Sequence, residues 1–281
     1  MSQGPPRIFD RKAVALHRAR GRLLAGNYHY LGVDALESIG GRLTPIRRDF
    51  DHVLDVEGFF RNAAPFHRPR EHVDLGEREV LDAPAAPYDL IVSVLGLHAV
   101  NDLPGALAQI RGALKPDGLF LGALFGGETL TELRQSLAAA ESEVLGGLSP
   151  RVAPFADVRD LGGLLQRAGF ALPVADVERT VIRFSDFAAL VRELRLMGET
   201  NALTERLRKP MPRAMLAAAV AHYAAHFADP DGKLRATFDI VYLTGWAPHE
   251  SQPQPLKPGS ARSRLAQALG TREESTGEKP G

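Results

Sequence analysis

His98 stands just after the most apolar stretch of the chain, Tyr88-Asp89-Leu90-Ile91-Val92-Ser93-Val94-Leu95. A histidine there suits proton transfer near neutrality, because its ordinary pKa lies close to physiological pH. The same position also suits a capping or packing histidine. Arg134, in Thr131-Glu132-Leu133-Arg134, offers a guanidinium to an acidic substrate or a ligand carboxylate, or to solvent on a helix face. Asp55 closes the apolar run from Phe50, and Asp74 follows His72-Val73. A carboxylate can meet a vicinal diol, two oxygens against two donors. Each acid also reads as a turn cap or a surface group. Asp82, before Ala83-Pro84, is a further loop acid.

Other chemistries find less material. The chain has no cysteine, which excludes disulfides, thiolate metal sites and cysteine nucleophiles. His67 and His72 are close in sequence, but no third ligand completes a two-histidine, one-carboxylate triad. Leu256-Lys257-Pro258-Gly259-Ser260 lacks the glycine run of a triphosphate-binding loop.

The elements that must position these residues alternate between strand and helix. Phe50–Val56 reads as a short buried strand, His72–Leu75 as a candidate second short strand, and Tyr88–Leu95 as a strand covered on both faces. Asn101 or Asp102 caps a helix carrying Leu103, Leu107, Ile110 and Leu114 at helical spacing. Lys115-Pro116-Asp117-Gly118 reads as a turn before a strand from Leu119 to Phe125. Thr129 with Glu132 forms a capping box, and Asp157 caps a helix ending before Gly169. Thr180–Phe184 is a short strand, Ser185–Met197 and Pro212–Phe227 are helices, and Ala236–Trp246 is the last strand. Pro65 and Pro69 argue against a long helix after the first strand. The pattern predicts an α/β fold with a doubly wound, mostly parallel sheet. Ligands in such sheets bind at the carboxyl ends of strands, near the switch point.

The 281 residues are 44% hydrophobic and 24% charged, with 34 basic and 34 acidic side chains. That balance is globular and gives no global basic surface for nucleic acid. No apolar run approaches the roughly 18–20 residues of a bilayer span. Arg7, Arg11, Lys12, Arg18, Arg20 and Arg22 crowd the start without an apolar stretch, so it reads as an amphipathic helix, with a transit peptide as the alternative.

The segment YDLIVSVLGLHAVNDLPGALAQIRGALKPDGLF resembles the fourth strand, fourth helix and fifth strand of class I S-adenosylmethionine (SAM) methyltransferases. IFDRKAVALHRARGR, GGETLTELR, SPRVAPFADVRDLGGLLQRAGFALPVAD, RELRLMGETNAL, YLTGWAP and QPLKPGSA together resemble one subfamily, the methyltransferase-like assembly factors of respiratory complex I. A more distant likeness is to the malonyl-carrier methyltransferases of biotin synthesis. The resemblance covers about Ile8 to Ala261. It implies a Rossmann-like sheet of the seven-stranded type with a reduced N-terminal cofactor half. It implies a helical segment over 1–48, the α/β domain over 49–250 with a helical insertion at about 185–230, and a flexible tail over 251–281.

It also implies SAM as cofactor. Asp55 and Gly58 would lie by the methionine end, Asp74 by the ribose, Asp82 by the adenine, and Ser93, Leu95 and Leu97 along the covering strand and turn. Catalytic candidates are His98 and Arg134. The chain departs from the family where Glu57 stands at the first loop glycine, followed by Phe59 and Phe60, and where Ala99 replaces a tryptophan. A glycine serves there because the backbone must turn tightly and approach the ligand. The implied function is modification of a protein side chain in complex I assembly, by methylation or arginine hydroxylation. The alternatives are a non-catalytic assembly factor and, further off, a methyltransferase of a small or carrier-bound acid. The expected partner is a protein, such as a complex I subunit, rather than nucleic acid. The expected location is cytoplasmic, without a transmembrane segment and with room for peripheral membrane association.

Overall fold

Six strands build one sheet: β1 (Val53–Val56), β2 (Arg70–Val73), β3 (Tyr88–Val94), β4 (Leu114–Gly126), β5 (Ala171–Phe184) and β6 (Leu234–Trp246), in the order β2-β1-β3-β4-β6-β5. β1 to β4 run parallel, and β6 is antiparallel to both β4 and β5. The computed structural model describes residues 6–25, 30–58, 70–83 and 88–253. The chain divides into two units, 1–248 and 249–281. In the second, the backbone N–H of His249 donates to the Gln252 side chain.

Among the described residues seven α-helices flank the strands: α1 (Arg11–Ala25), α2 (Tyr30–Leu43), α3 (Leu103–Ala113), α4 (Thr131–Leu145), α5 (Val158–Arg167), α6 (Phe187–Leu196) and α7 (Arg213–Phe227). β1 and β3 are buried at every position, as strands covered on both faces must be. Their residues alternate between two cores. Val53, Leu90 and Val92 pack with Ile39 of α2, Leu137 of α4, Leu194 of α6 and Tyr223 of α7. Leu54 and Ile91 pack with Leu107 and Ile110 of α3 and Leu161 and Leu165 of α5. The period of two along a strand is what serves both layers. Each such side chain, fully buried, contributes about 1.5–3 kcal/mol. A register slip of one residue would exchange the two sets. The caps expected at Asp102 and Asp157 form: their carboxylates accept from the N–H groups of Gly105 and Arg159.

Four expectations change. The sheet has six strands among the described residues, not seven. The stretch Lys115–Gly118 is not a separate turn but a bulge inside β4. Tyr88 pairs with Leu114 while Leu90 pairs with Leu119, and Asp117 takes φ +61° to absorb the extra residues. β5 begins at Ala171 rather than Thr180. As an edge strand it leaves Leu172, Val174, Val177 and Val181 exposed and accepts Pro173 and charges, so its apolar signal is diluted. Thr129 and Glu132 make no capping box. Leu130 holds the N-cap position at φ +57° without a side-chain bond. The Thr129 hydroxyl donates to Gly126 O of β4 and accepts from Asp239 N–H of β6, and Glu132 accepts from the N–H and hydroxyl of Thr237, so both side chains bind the start of α4 to β6. Phe59, Phe60, Pro65, His67, Pro69, Pro84, Lys257 and the C-terminal tail lie outside the described residues.

Candidate active site

The winding direction reverses between β1 and β3, which opens a crevice at their carboxyl ends. α1 lies across that opening. The strap before it is sewn to the loop after α6: Asp10 N–H donates to Ala202 O and Thr204 N–H to Ile8 O, both 2.8 Å, and Arg206 pairs with Asp10 at 2.9 Å. Phe9 and Val14 pack on Ala99 and Leu203.

Two basic residues of α1, one above the other, reach down into the crevice to Glu57. Arg11 bonds one carboxylate oxygen of Glu57, and Arg18 bonds the other at 2.8 Å. Leu75 N–H donates to the same carboxylate at 2.8 Å. All three charged side chains are nearly buried, at 8%, 6% and 3% exposure. Arg18 also donates to Gly96 O at 2.9 Å and Leu95 O at 3.4 Å, and Arg11 to Ala99 O at 3.0 Å. Glu57 sits at φ +56°, the conformation its expected glycine would take at no cost. The loop's backbone path is therefore kept although the glycine is not.

Asp55 is buried at the end of β1, 3.5 Å from His72 Nδ1, while His72 Nε2 lies 3.0 Å from Asp74. Burial opposes a charged His72, but the hydrogen bonds and charges of Asp55 and Asp74 overcome it and lift the imidazole to about 9. His72 thus lies between the two acids, hydrogen-bonded to Asp74 and 3.5 Å from Asp55. A Cβ on Gly58 would meet the Asp55 carboxylate at 2.0 Å, and one on Gly96 would meet Glu57 O at 2.1 Å, so both glycines serve a close backbone approach.

Asp74, half-exposed, lines a cavity of about 470 Å³ with Glu57, Gly76, Arg11 and Arg18. Asp82 is exposed in the β2–β3 connection and does not line it. Ser93 is fully buried in β3, its hydroxyl without a hydrogen-bond partner among the described residues. Leu95 takes φ +52° and presents its carbonyl to Arg18. Leu97 opens a single 3-10 turn (Leu97–Ala99) and sinks into the α3–α5 core.

A second cavity, of about 170 Å³, neighbours the first, and Val14 and Arg18 of α1 line both. His98 lies in this second pocket between Phe125 and Phe155, with ring centroids 5.0 and 6.1 Å away. Its Nε2 lies 3.1 Å from the Glu199 carboxylate. A carboxylate only accepts, so Nε2 carries a hydrogen. Nδ1 is buried and has no hydrogen-bond partner among the described residues. Arg134 is not in the pocket lining; it donates to Thr129 O and Ala153 O and fastens the loop that walls the pocket. Arg151, also in the wall, pairs with Glu141 at 2.7 Å. That guanidinium, with Ser149, holds the Glu141 carboxyl down to about 2 against the opposing effect of burial.

The sequence reading did not find Glu57 as a charged hub or Glu199 as the partner of His98. The only local signal for the first was Arg11 and Arg18 falling on one face of α1, a spacing of two helical turns.

The donor set fits a nucleoside attached to an amino acid. Asp74 at the cavity rim can accept from a diol. The Arg18–Glu57 pair matches a zwitterion, a guanidinium for its carboxylate and a carboxylate for its ammonium. Such a ligand would exchange its own charges for an existing ion pair.

Comparison with known proteins places the chain in context. Residues 20–173 match the methyltransferase domain family. The mitochondrial arginine-hydroxylase NDUFAF5 of Danio rerio is 36% identical over 92% of this chain and 88% of its own length. That of Rattus norvegicus is 38% identical over 83% of this chain and 75% of its own. A malonyl-acyl-carrier-protein O-methyltransferase of Xylella fastidiosa (strain M23) is 38% identical over 62% of this chain and 56% of its own.

Proposed function

The chain belongs to the methyltransferase-domain family of the mitochondrial arginine-hydroxylases NDUFAF5, and from that premise we propose that it modifies an arginine of a protein partner during respiratory complex I assembly. The observation that carries the reading is the His98–Glu199 pair in an aromatic-walled pocket, divided from the crevice by Arg18 alone among charged side chains common to both linings. Phe125 and Phe155 suit the aliphatic stem of an arginine, and the Glu199 carboxylate suits its guanidinium.

In this reading Asp74, Glu57 and Arg18 hold SAM in the crevice. SAM, when bound, supplies an electrophilic methyl group on a sulfonium. The chain's own contribution is alignment and exclusion of water, with Phe125, Phe155 and Leu133 walling the pocket. His98 Nδ1 accepts the proton that a guanidinium nitrogen must lose, and Glu199 steadies the imidazolium that forms. Hydroxylation of the same side chain would insert one atom of dioxygen into a C–H bond and release the other as water, with two electrons and two protons from a reductant that the described residues do not supply.

The test has two parts. Calorimetry of the purified chain should show saturable SAM binding. Mass spectrometry of complex I subunits from cells carrying His98→Gln should show loss of a one-carbon or one-oxygen increment on an arginine. Absence of SAM binding together with an unchanged arginine would sink the reading. A second reading has one observation in its favour. The Arg11–Glu57–Arg18 network pairs its own charges without a ligand, as a non-catalytic assembly factor would need. It predicts no SAM binding and full assembly activity in His98→Gln.

No helix among the described residues is long and apolar enough to cross a membrane. The mitochondrial relatives support work beside a respiratory complex, and a cytoplasmic location with peripheral membrane association is compatible with that reading.

A further inference from the structure

Beyond Leu133 and Val191 the surface opens again. These two residues line the His98 pocket and also a groove of about 750 Å³ between α4, α6 and α7. The groove and the pocket therefore share a wall. α7 is apolar on two sides. Met215, Ala219 and Tyr223 face the core, while Leu216 and Val220 line the groove at 43% and 38% exposure. A helix with apolar side chains beyond its core face offers them to a partner, and clustered exposed apolar side chains mark contact surfaces.

The rim of the groove is charged with one dominant sign. Arg192 and Arg195 line it from one face of α6, both exposed, and no ion pair to either is formed among the described residues. Asp186 is the only acid in the lining, and its carboxylate is already engaged as the cap of α6, accepting from Ala189 N–H and the Ser185 hydroxyl. What remains is an apolar floor beside two exposed guanidiniums that form no ion pair among the described residues, although the charge of Arg192 also acts on Asp186.

We propose that this groove docks an amphipathic helix of the protein substrate, with acidic residues flanking its apolar stripe. The shared wall at Leu133 and Val191 then lets a side chain next to that helix enter the His98 pocket. A helix is the occupant because the site is a concave seat between three helices, the helix-in-groove arrangement. An anionic lipid surface would meet the same arginines but cannot fill a concavity. The proposal rests on the reading of the His98 pocket as the arginine-modifying site, and adds how the substrate is held there.

The probe is a synthetic helical peptide with leucines at i, i+3, i+4 and i+7 and glutamates beside them, fluorescently labelled and titrated with the full chain. A matched peptide carries lysines in place of the glutamates. The acidic peptide should bind saturably and about tenfold more tightly than the lysine peptide, and Arg192→Glu with Arg195→Glu should remove that preference. Val220→Asp, a surface change, should weaken binding without affecting the melting curve. In cells, the double arginine variant should lower arginine modification while calorimetric SAM binding stays unchanged. Equal binding of both peptides, no saturable binding of either, or indifference to all three substitutions overturns the proposal. Adsorption to phosphatidylserine vesicles that disappears in the double variant, without peptide binding, overturns it in favour of a membrane. If the groove binds as expected but His98→Gln leaves the arginine modification intact, the pocket reading fails and the docking surface stands.

Discussion

Replacing Glu57 by glycine would restore the residue type that the family's loop uses, yet it should weaken this protein. Glu57 is the shared counter-charge of Arg11 and Arg18, with exposures of 8% and 6% on the arginines and 3% on the glutamate. Removing one partner of a buried ion pair costs about 3–5 kcal/mol, because the other charge stays buried. Leu75 N–H also loses its acceptor, at about 1–3 kcal/mol. Against this, glycine relieves the φ of +56°, worth about 1–2 kcal/mol. Arg18 keeps its bond to Gly96 O, and Arg11 keeps Glu79 at 3.5 Å, so the loss falls at the lower end. The net expectation is a destabilisation of about 3 kcal/mol. Urea denaturation at neutral pH reads it as a lower midpoint with an unchanged slope. Glu57→Gln should lose less, since it keeps an acceptor for Leu75. Adding Arg18→Met to Glu57→Gly should recover part of the loss, because an apolar side chain leaves no charge stranded. A Glu57→Gly variant as stable as the parent would refute the reasoning, and would mean that backbone strain outweighs the ion network.

Four further outcomes follow from the structure. His72, lifted to about 9 by Asp55 and Asp74 from an ordinary 6.5, should stabilise the fold fully below about pH 6.5. That contribution should fade as pH rises through 9, by no more than about 3 kcal/mol; an NMR titration of His72 and a flatter stability curve in His72→Gln check it. Glu141, held near 2 by Arg151 and Ser149 from an ordinary 4.5, should contribute fully above pH 4.5 and lose its contribution as pH falls towards 2. Arg151→Met should make unfolding on acidification begin at higher pH, as followed by circular dichroism. Gly96→Ala places a Cβ 2.1 Å from Glu57 O and should prevent folding to soluble protein. Gly112→Ala, exposed in α3 with nothing within 4 Å, should instead raise stability by about 0.5–1 kcal/mol in thermal melts.

Local sequence was enough for much of the frame. The run from Tyr88 to Leu95 could only be a strand covered on both faces, and β3 is buried throughout. Asp102 and Asp157 announced helix starts because a cap is a contact between near neighbours. The acids Asp55 and Asp74 were placed at the ends of β1 and β2 because strand ends follow the apolar pattern. β5 was cut short in the sequence reading because an edge strand need not be apolar on either face.

The site was another matter. His98 was visible, but its partner Glu199 lies 101 residues away. Arg11 and Arg18 looked like scattered basic residues of a first helix until α1 was seen laid across the crevice onto Glu57. Thr129 and Glu132 fitted a local capping box, and were taken instead by β6. The reason is common to all of these. Periodicity, caps and turns are governed by interactions within a few residues, which spacing encodes. A buried charge takes whichever opposite charge the folded chain brings within hydrogen-bond reach, and only the tertiary structure decides which one that is.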